Sequence, residues 1–376
     1  MRTDRAELFQ RVERVVVKVG TYLLTGVNTP LNPETIGKIV AQIAELKRRG
    51  KEVVLVTSGA IGAGVLELKL KERPRDLPGL QAAAAVGQTN LMHIYRDFFH
   101  KEGFAVGQIL LSREDLHHRC RHLNVRNTLS RLLRDGVVPV INENDTVSVE
   151  EIKFGDNDFL SALVCNLLQA DLLAMLTDVE GLLCPAADRG GGFRAISCVE
   201  KITPEMEKLV FEDSKELSRG GMRSKLEAAR IVTRAGGMVV IASGRRENVL
   251  VEIVEGKEVG TLFLPAAKKV GSRKSWIAYS CLKKGTITVD EGARQALVEK
   301  GKSLLASGVT GTENDFRAGE MVGIKGPDGV EVARGLVNYS RREVEMIKGK
   351  KSNQIKTILG EEGYREVVHR DNLVVL

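Results

Sequence analysis

The sequence predicts an α/β protein, with an open, mostly parallel sheet sandwiched by helices and a small, mainly β domain after it. Three observations support this class. From about residue 14 to residue 264, short β-branched runs alternate with longer amphipathic segments, as in parallel strands joined by helices. Beyond Pro265 the runs shorten and glycine turns separate them, which indicates a second unit. The 376 residues also exceed the size at which a single hydrophobic core stops growing.

The strands of the first domain are predicted from apolar, mostly β-branched runs. They are expected at residues 15–19, 53–57, 137–141, 172–177 and 238–242. A helix is predicted over 33–49, because apolar residues recur at helical spacing and Gly50 ends the pattern. Further helices are expected at 123–133, 204–211 and 225–235.

The change to short runs separated by glycine turns after Pro265 determines the predicted domain boundaries. The first domain covers residues 1–265, a small basic linker covers 266–282, and the second domain covers 283–376. The second domain is predicted to be barrel-like. Its helix is expected at 291–300, and its four strands are expected at 285–289, 309–310, 321–324 and 330–336.

Composition excludes several classes of protein. No run approaches the roughly 18 apolar residues that a membrane span requires, and the N-terminus is too charged for a cleaved signal, so we expect a cytoplasmic protein with no membrane partner. The five cysteines form no CxxC pair and no metal-ligand spacing, which argues against structural zinc or disulfides. The formal net charge is +7, and a solvated surface explains the modestly basic second domain better than a polyanionic partner does.

The densest set of polar side chains follows the predicted strand 137–141. Its carboxylates and carboxamides lie in two short segments, Asn142-Glu143-Asn144-Asp145 and Asp156-Asn157-Asp158. Open α/β sheets bind small polar ligands at the carboxyl ends of their strands. The position of this cluster therefore predicts a ligand site.

Lys18 lies within a run that should be buried, at residues 15–19. Lysine is almost never fully buried unless it is paired, so its ammonium is expected to emerge at the carboxyl edge of the sheet and to meet an anion. The alternative is an edge-strand lysine that faces water. Gly20 and Thr21 favour the anion, because a glycine and a hydroxyl after the strand let backbone amides approach a phosphate.

A glycine-rich turn with Ser58 and Gly59 follows the predicted strand 53–57 and opens a helix. The free amides and the positive helix end then face the sheet edge. The chain contains no GxxxxGK[ST] sequence, and no GxGxxG with an acidic residue at the expected distance follows this strand. The sequence therefore argues against a P-loop and against a dinucleotide-binding site.

Two more segments follow predicted strands or open predicted helices. Thr177 and Asp178 could hold a purine or ribose, or could cap the next element. Gly220 and Gly221 precede Lys225, so amides and an ammonium could both point toward phosphate. The alternative for this second segment is a mobile surface loop.

Together these lysines, glycine turns and carboxylates predict phosphoryl transfer, in which catalysis is mostly positioning and charge neutralisation. If the acceptor is a carboxylate, two anions approach to about 3 Å, and their repulsion ranges from roughly 1 kcal/mol in water to several in a protein site. Two lysines and a magnesium ion would offset it. No histidine base accompanies the cluster, and an ionised carboxylate nucleophile needs none.

The segments that carry these residues resemble the glutamate 5-kinases of the amino acid kinase superfamily. They are Val17 to Thr21, Val56 to Ile61, Val138 to Asp145, Gly155 to Asp158, Leu176 to Asp178 and Gly220 to Lys225. The part from about Lys283 to Gly360 resembles a PUA domain. The resemblance covers essentially the whole chain and implies the amino acid kinase fold with a PUA-like C-terminal domain.

The resemblance implies ATP-dependent phosphorylation of the side-chain carboxylate of L-glutamate, which gives L-glutamyl 5-phosphate in the first step of proline biosynthesis. In this family pattern Lys18 and Lys225 neutralise the transferring group from opposite sides, and Asp158 holds both lysines. The residues implied in glutamate binding are Ser58, Gly59, Asn142, Asp145, Asp156 and Asn157, with Asp145 facing the α-ammonium and Ser58 and Asn157 facing carboxylates. The residues implied at the ATP site are Lys18, Thr177, Asp178, Arg219, Gly220, Gly221, Met222, Arg223, Ser224 and Lys225.

The resemblance also implies partners. Mg²⁺ is expected to accompany ATP and to be bound largely through water. Proline is expected as a feedback inhibitor, glutamyl phosphate reductase as the enzyme that receives the product, and a homo-oligomer as the assembly. The chain departs from the family pattern at Ser218-Arg219 and at Leu183 to Ala187, and both departures concern contacts to the nucleotide.

Two alternatives remain open at this point. A related kinase acting on another carboxylate or carbamate would need the same lysines, although the acidic Asp145 favours a substrate with a free α-amino group. RNA binding through the C-terminal domain is the second, since Arg341, Arg342 and nearby lysines are basic. That segment lacks interleaved aromatic residues for stacking on bases, so a nucleic-acid partner is disfavoured.

Overall fold

The computed structural model describes residues 5–24, 31–147, 157–185, 193–203, 206, 219–266, 274, 277, 283–360 and 364–376. The chain divides into two compact units, Met1–Lys269 and Val270–Leu376, each considered by itself below. The first is built on a mostly parallel sheet between helices and the second is mainly β, so the predicted fold class is confirmed. Of the predicted linker, 266–282, only residues 266, 274 and 277 are described.

The first unit is organised around an eight-stranded sheet with the order β3-β4-β2-β1-β5-β9-β10-β8. Its strands are β1 Arg14–Val19, β2 Glu52–Val56, β3 Val106–Leu111, β4 Val138–Glu143, β5 Leu172–Thr177, β8 Cys198–Val199, β9 Met238–Ser243 and β10 Thr261–Phe263. Every neighbouring pair is parallel except β9 and β10. A separate antiparallel hairpin joins β6 Leu183–Pro185 and β7 Phe193–Ala195.

Helices cover both faces of this sheet. Those described in the first unit are α1 Arg5–Gln10, α2 Thr21–Leu24, α3 Pro33–Arg48, α4 Ala60–Glu67, α5 Leu77–Lys101, α6 Arg113–His117, α7 Arg119–Arg134, α8 Asp158–Leu168, α9 Arg219–Ala235 and α10 Val249–Val254. On one face α3 packs against α5 and α10, and on the other α8 packs against α7 and α9. Because both faces are covered, the central strands are predominantly apolar, and β5 is buried along its whole length.

All five strands predicted for this unit are confirmed, as are the helices at 33–49 and 123–133. Strand β3 and helix α5 had no prediction. The helix predicted to begin at Lys225 begins instead at Arg219, so the glycine pair lies within its first turns and not in a loop. The helix predicted at 204–211 lies outside the described residues except for Met206.

Two glycines bring the backbones of α4 and α5 into direct contact. A Cβ on Gly64 would lie 1.7 Å from the carbonyl oxygen of Ala83, and one on Gly87 would lie 1.9 Å from that of Ala60. No side chain fits at such distances. The pair therefore fixes α5 against the helix that follows β2.

The second unit contains a five-stranded sheet with the order β12-β11-β13-β14-β15. Its elements are β11 Lys283–Val289, α11 Glu291–Val298, β12 Val309–Glu313, β13 Met321–Lys325, β14 Glu331–Leu336, α12 Arg341–Ile347, α13 Ile355–Leu359 and β15 Leu373–Val375. The four predicted strands and the predicted helix are confirmed, whereas α12, α13 and β15 had no prediction. The unit has its own core, which includes Ile287, Phe316 and Ile324.

Across the described residues, no helix combines the length and apolar character needed to cross a membrane.

Candidate active site

The candidate site lies at the carboxyl edge of the parallel sheet. Lys18 is near the end of β1, Ser58 follows β2, Asn142 is near the end of β4 and Thr177 ends β5. These strands are neighbours and run parallel, so their carboxyl ends meet at one edge. Four sequence segments that are far apart in the chain thus supply one region.

Asp158 is the centre of a buried charge cluster. It begins α8, and none of its side chain is exposed to solvent. The Nζ of Lys18, a side chain only 3% exposed, lies 2.6 Å from Asp158 Oδ1, and the Nζ of Lys225 lies 3.0 Å from Oδ2. A buried carboxylate is tolerated when it is paired and hydrogen-bonded. We call this cluster of Lys18, Asp158 and Lys225 the clamp.

Helix α9 determines where Lys225 points. Its ammonium also donates to the carbonyl of Gly221, one helical turn earlier, at 3.0 Å. Ser224 donates to Asp158 Oδ2 at 2.8 Å, so two consecutive residues of α9 hold the same carboxylate oxygen. A Cβ on Gly221 would come within 3.7 Å of Lys225 Nζ. That distance is ordinary van der Waals contact, so Gly221 lies beside the ammonium without a steric requirement for glycine.

The neighbouring residue, Asn157, begins a chain of neutral amides. Its Nδ2 donates to Asn142 Oδ1 at 2.7 Å and to Ser58 Oγ at 3.1 Å, and it also contacts the carbonyl of Thr57. Asn142 Nδ2 in turn donates to Gln88 Oε1 at 2.7 Å. All of these side chains are buried. We call Asn157, Asn142 and Gln88 the amide relay.

A second buried pair supports the strand that carries Ser58. The hydroxyls of Thr57 and Tyr95 lie 2.8 Å apart, which joins the end of β2 to α5. Burial raises the pKa of Tyr95, so its hydroxyl stays neutral and available for this hydrogen bond.

Gly59, which follows Ser58 directly, has φ +97° and precedes the first residue of α4. This left-handed conformation favours glycine and turns the chain sharply after Ser58.

The end of β5 is more open than the clamp. Thr177 is buried and donates to Asp178 Oδ1 at 3.0 Å, while Asp178 itself is exposed. Beyond it, Cys184 lies in the hairpin of β6 and β7. On α9, Arg223 is exposed and Met222 is half-buried. This edge offers polar groups to a larger ligand.

No metal-binding cluster occurs in the described part of the site. Within the described ranges, no group of three His, Cys, Asp or Glu side chains is placed to hold a metal ion. Both carboxylate oxygens of Asp158 face lysine ammonium groups.

Comparison with known proteins places the chain in a family. It is 50% identical over 363 residues to a glutamate 5-kinase of Caldanaerobacter subterraneus subsp. tengcongensis, covering 96% of this chain and 98% of that protein. The chain belongs to the glutamate 5-kinase family. The family's counterparts in Moorella thermoacetica and Geobacter sulfurreducens, also named glutamate 5-kinase, are 48% identical over 366 residues and 47% identical over 372 residues. These matches cover 97% and 99% of this chain, and 97% and 100% of the relatives.

The family models agree with this assignment. Residues 13–243 match the amino acid kinase family, and residues 285–359 match the PUA domain. The predicted resemblance to glutamate 5-kinases with a C-terminal PUA domain is thereby confirmed.

In this glutamate 5-kinase family member, the structure brings most of the predicted site residues to one edge of the sheet. Asp145 is half-buried just after β4. Asp156 and Ser218 lie outside the described residues, as does the side chain of Arg219. Sequence reasoning missed Gln88, which lies on α5, far along the chain from the motifs, although it contacts Asn142 directly. The Gly87-Gln88 pair gave no recognisable pattern.

Proposed function

We propose that this chain transfers the terminal phosphoryl group of ATP to the side-chain carboxylate of L-glutamate, yielding L-glutamyl 5-phosphate as the first step of proline biosynthesis. Transfer is in line and forms no covalent enzyme intermediate. The observation that carries the proposal is the clamp, in which one fully buried carboxylate holds two ammonium groups at 2.6 Å and 3.0 Å. The names of the 47–50% identical relatives support the same reaction.

The clamp suits the charge problem of this reaction. Two anions, a carboxylate and a phosphate, must approach each other, and fixed cations in a site closed to water lower that cost most. Lys18 and Lys225 come from opposite sides of Asp158, on β1 and α9. We therefore assign both lysines to the transferring group and Asp158 to their positioning.

The hydrogen bonds around Asn157 support a proposal for the glutamate contacts. Its Nδ2 is engaged by Thr57, Ser58 and Asn142, so the atom left for a ligand is the acceptor Oδ1. We place Asn157 beside Asp145 at the α-ammonium, a revision of the expectation that it faces a carboxylate. Ser58 accepts from Asn157, which leaves its own hydroxyl proton free to donate to a carboxylate.

ATP is assigned to the edge formed by the end of β5 and the start of α9. The residues that we assign there are Thr177, Asp178 and the segment from Arg219 to Lys225. ATP would enter as its magnesium complex, with phosphate oxygens and water as the main ligands of the cation, as Mg²⁺ prefers.

A hydroxamate assay tests the reaction. Enzyme, ATP, magnesium and hydroxylamine are combined with L-glutamate, N-acetyl-L-glutamate or L-aspartate, and the acyl phosphate is trapped as its hydroxamate. We expect product with L-glutamate. Product confined to either of the other two acceptors would refute the assignment and favour a kinase for a different carboxylate.

Four further expectations complete the proposal. Proline, an amino acid related to the substrate, would inhibit by competing at the glutamate pocket, and glutamyl phosphate reductase would receive the unstable acyl phosphate. The enzyme would be cytoplasmic and would act as a homo-oligomer. The support for these expectations is membership in the family.

A further inference from the structure

Gln88 carries a buried hydrogen-bond donor with no partner in the part of the chain that the structure describes. The side chain is 8% exposed, and its Oε1 accepts from Asn142 Nδ2 at 2.7 Å. Its Nε2 is closed to solvent and has no acceptor. Buried donors in native proteins nearly always have a partner, so an orphan of this kind calls for an explanation.

The direction of the relay forces this donor to be free. The backbone N–H of Glu143 donates to Asn142 Oδ1 at 2.9 Å, and this N–H cannot act as an acceptor. Asn142 must therefore donate to Gln88 through its Nδ2, and Gln88 must accept this hydrogen bond with Oε1. Rotating the amide of Gln88 would set two donors against each other, so the unpartnered atom is necessarily Nε2.

The backbone next to Gln88 is closely packed. Gly87 precedes Gln88 and lies in the contact between α4 and α5, where a Cβ would be 1.9 Å from the carbonyl of Ala60. Helix α5 is thus held against α4 at the residue next to Gln88. The missing acceptor is best supplied by a ligand, since a ligand that brings an oxygen gains what the protein alone leaves unsatisfied.

We propose that Gln88 Nε2 donates a hydrogen bond to the α-carboxylate of the bound amino acid and so determines specificity for it; this rests on the proposed function. The relay begins at Asn157, next to Asp158 of the clamp, and ends at Gln88. The side-chain carboxylate must lie at the clamp to receive phosphate. The α-carboxylate therefore belongs toward the opposite end of the relay. Because Nε2 is closed to solvent, this contact forms with a local rearrangement as the substrate enters.

The variant Gln88→Glu tests the proposal. It keeps an acceptor oxygen for Asn142 but replaces the donor by a second oxygen, which repels an α-carboxylate and accepts from an α-carboxamide. L-Glutamate is compared with its α-carboxamide analogue, isoglutamine, whose side-chain carboxylate is unchanged. We expect kcat/KM for L-glutamate to fall by about 10- to 100-fold, while the preference over isoglutamine narrows or inverts.

Controls separate this role from a purely structural one. Thr89→Glu adds the same charge at the neighbouring exposed position of α5, and its substrate preference should equal that of the unaltered protein. A Gln88→Glu variant that slows both substrates equally, leaving their ratio unchanged, would overturn the proposal.

If Gln88→Glu does not fold, Gln88→Met serves as the second variant, because methionine also lacks the donor. It should reduce the preference for L-glutamate over isoglutamine. An unreduced preference would overturn the proposal. Failure of the unaltered protein to phosphorylate L-glutamate would instead refute the proposed function.

Discussion

The clamp and the amide relay are adjacent and equally buried, yet they differ in the kind of polarity they carry. Asp158 joins two cations, whereas its neighbour Asn157 joins only neutral groups. A buried charge is costly without a partner and acts strongly on any charge that develops nearby. A neutral amide costs less and acts through direction, since it offers a donor at one end and an acceptor at the other.

This difference predicts a division of roles. The clamp should determine the rate of phosphoryl transfer, because its charges matter most where negative charge accumulates in the transition state. The relay should determine which amino acid binds and how it is oriented. Substitutions in the two regions should therefore separate into effects on kcat and effects on KM.

The largest effect is expected from Asp158→Asn. The amide cannot neutralise Lys18 and Lys225, and two ammonium groups then remain buried side by side. Breaking a buried ion pair by removing one partner costs about 3–5 kcal/mol, so we expect a loss of that order in the free energy of unfolding together with loss of hydroxamate formation. Denaturant unfolding measures the first quantity. Stability and turnover close to those of the unaltered protein would show that Asp158 does not organise the clamp.

The second effect is expected from Lys18→Met, which leaves Asp158 paired with Lys225. Loss of one fixed donor to the transition state lowers kcat by about 10²- to 10³-fold in comparable sites, whereas the KM for glutamate should change little. Steady-state kinetics measures both.

A matched control for Lys18→Met is available on the surface. Lys38 pairs with Glu34 at 2.7 Å, almost the same length as the pair in the clamp, but its side chain is 63% exposed. Lys38→Met should leave kcat and the unfolding midpoint unchanged, since exposed pairs contribute little. A similar fall in kcat for both variants would remove Lys18 from the mechanism.

The sequence predicted the clamp better than the relay for a physical reason. Lys18 lies in a buried strand, where a charged side chain is conspicuous, and Asp158 belongs to the dense polar segment at 156–158. Their convergence with Lys225 was implied by the family resemblance. Gln88 lies in an alanine-rich helix whose apolar periodicity is weak, and nothing near it in the sequence suggests a site. Its role depends on a contact with Asn142, which only the tertiary structure supplies.

The fold shows the same contrast. Central strands such as β1 and β5 are mostly apolar and were predicted, whereas β3, at the edge of the sheet, is only half-buried and contains Gly107 and Gln108. Helix α9 begins at Arg219, earlier than predicted. The prediction began after Gly220 and Gly221 because glycine is unfavourable in helices, yet both glycines belong to this helix. Tertiary contacts, including the bond from Ser224 to Asp158, outweigh the local preference.

The smallest of the three effects is expected from Asn142→Leu, which interrupts the relay but leaves the clamp intact. Leucine has a similar volume, so packing changes little, while Gln88, Asn157 and the N–H of Glu143 each lose a partner. We expect a loss of about 1–3 kcal/mol in the free energy of unfolding, the cost of leaving buried polar groups unsatisfied. The KM for glutamate should rise by about 10-fold or more, because a misdirected amide no longer orients the amino acid, while kcat at saturation stays within a few-fold. If kcat instead fell as far as in Lys18→Met with KM unchanged, the relay would act on the transition state, and the division between the two regions would be wrong.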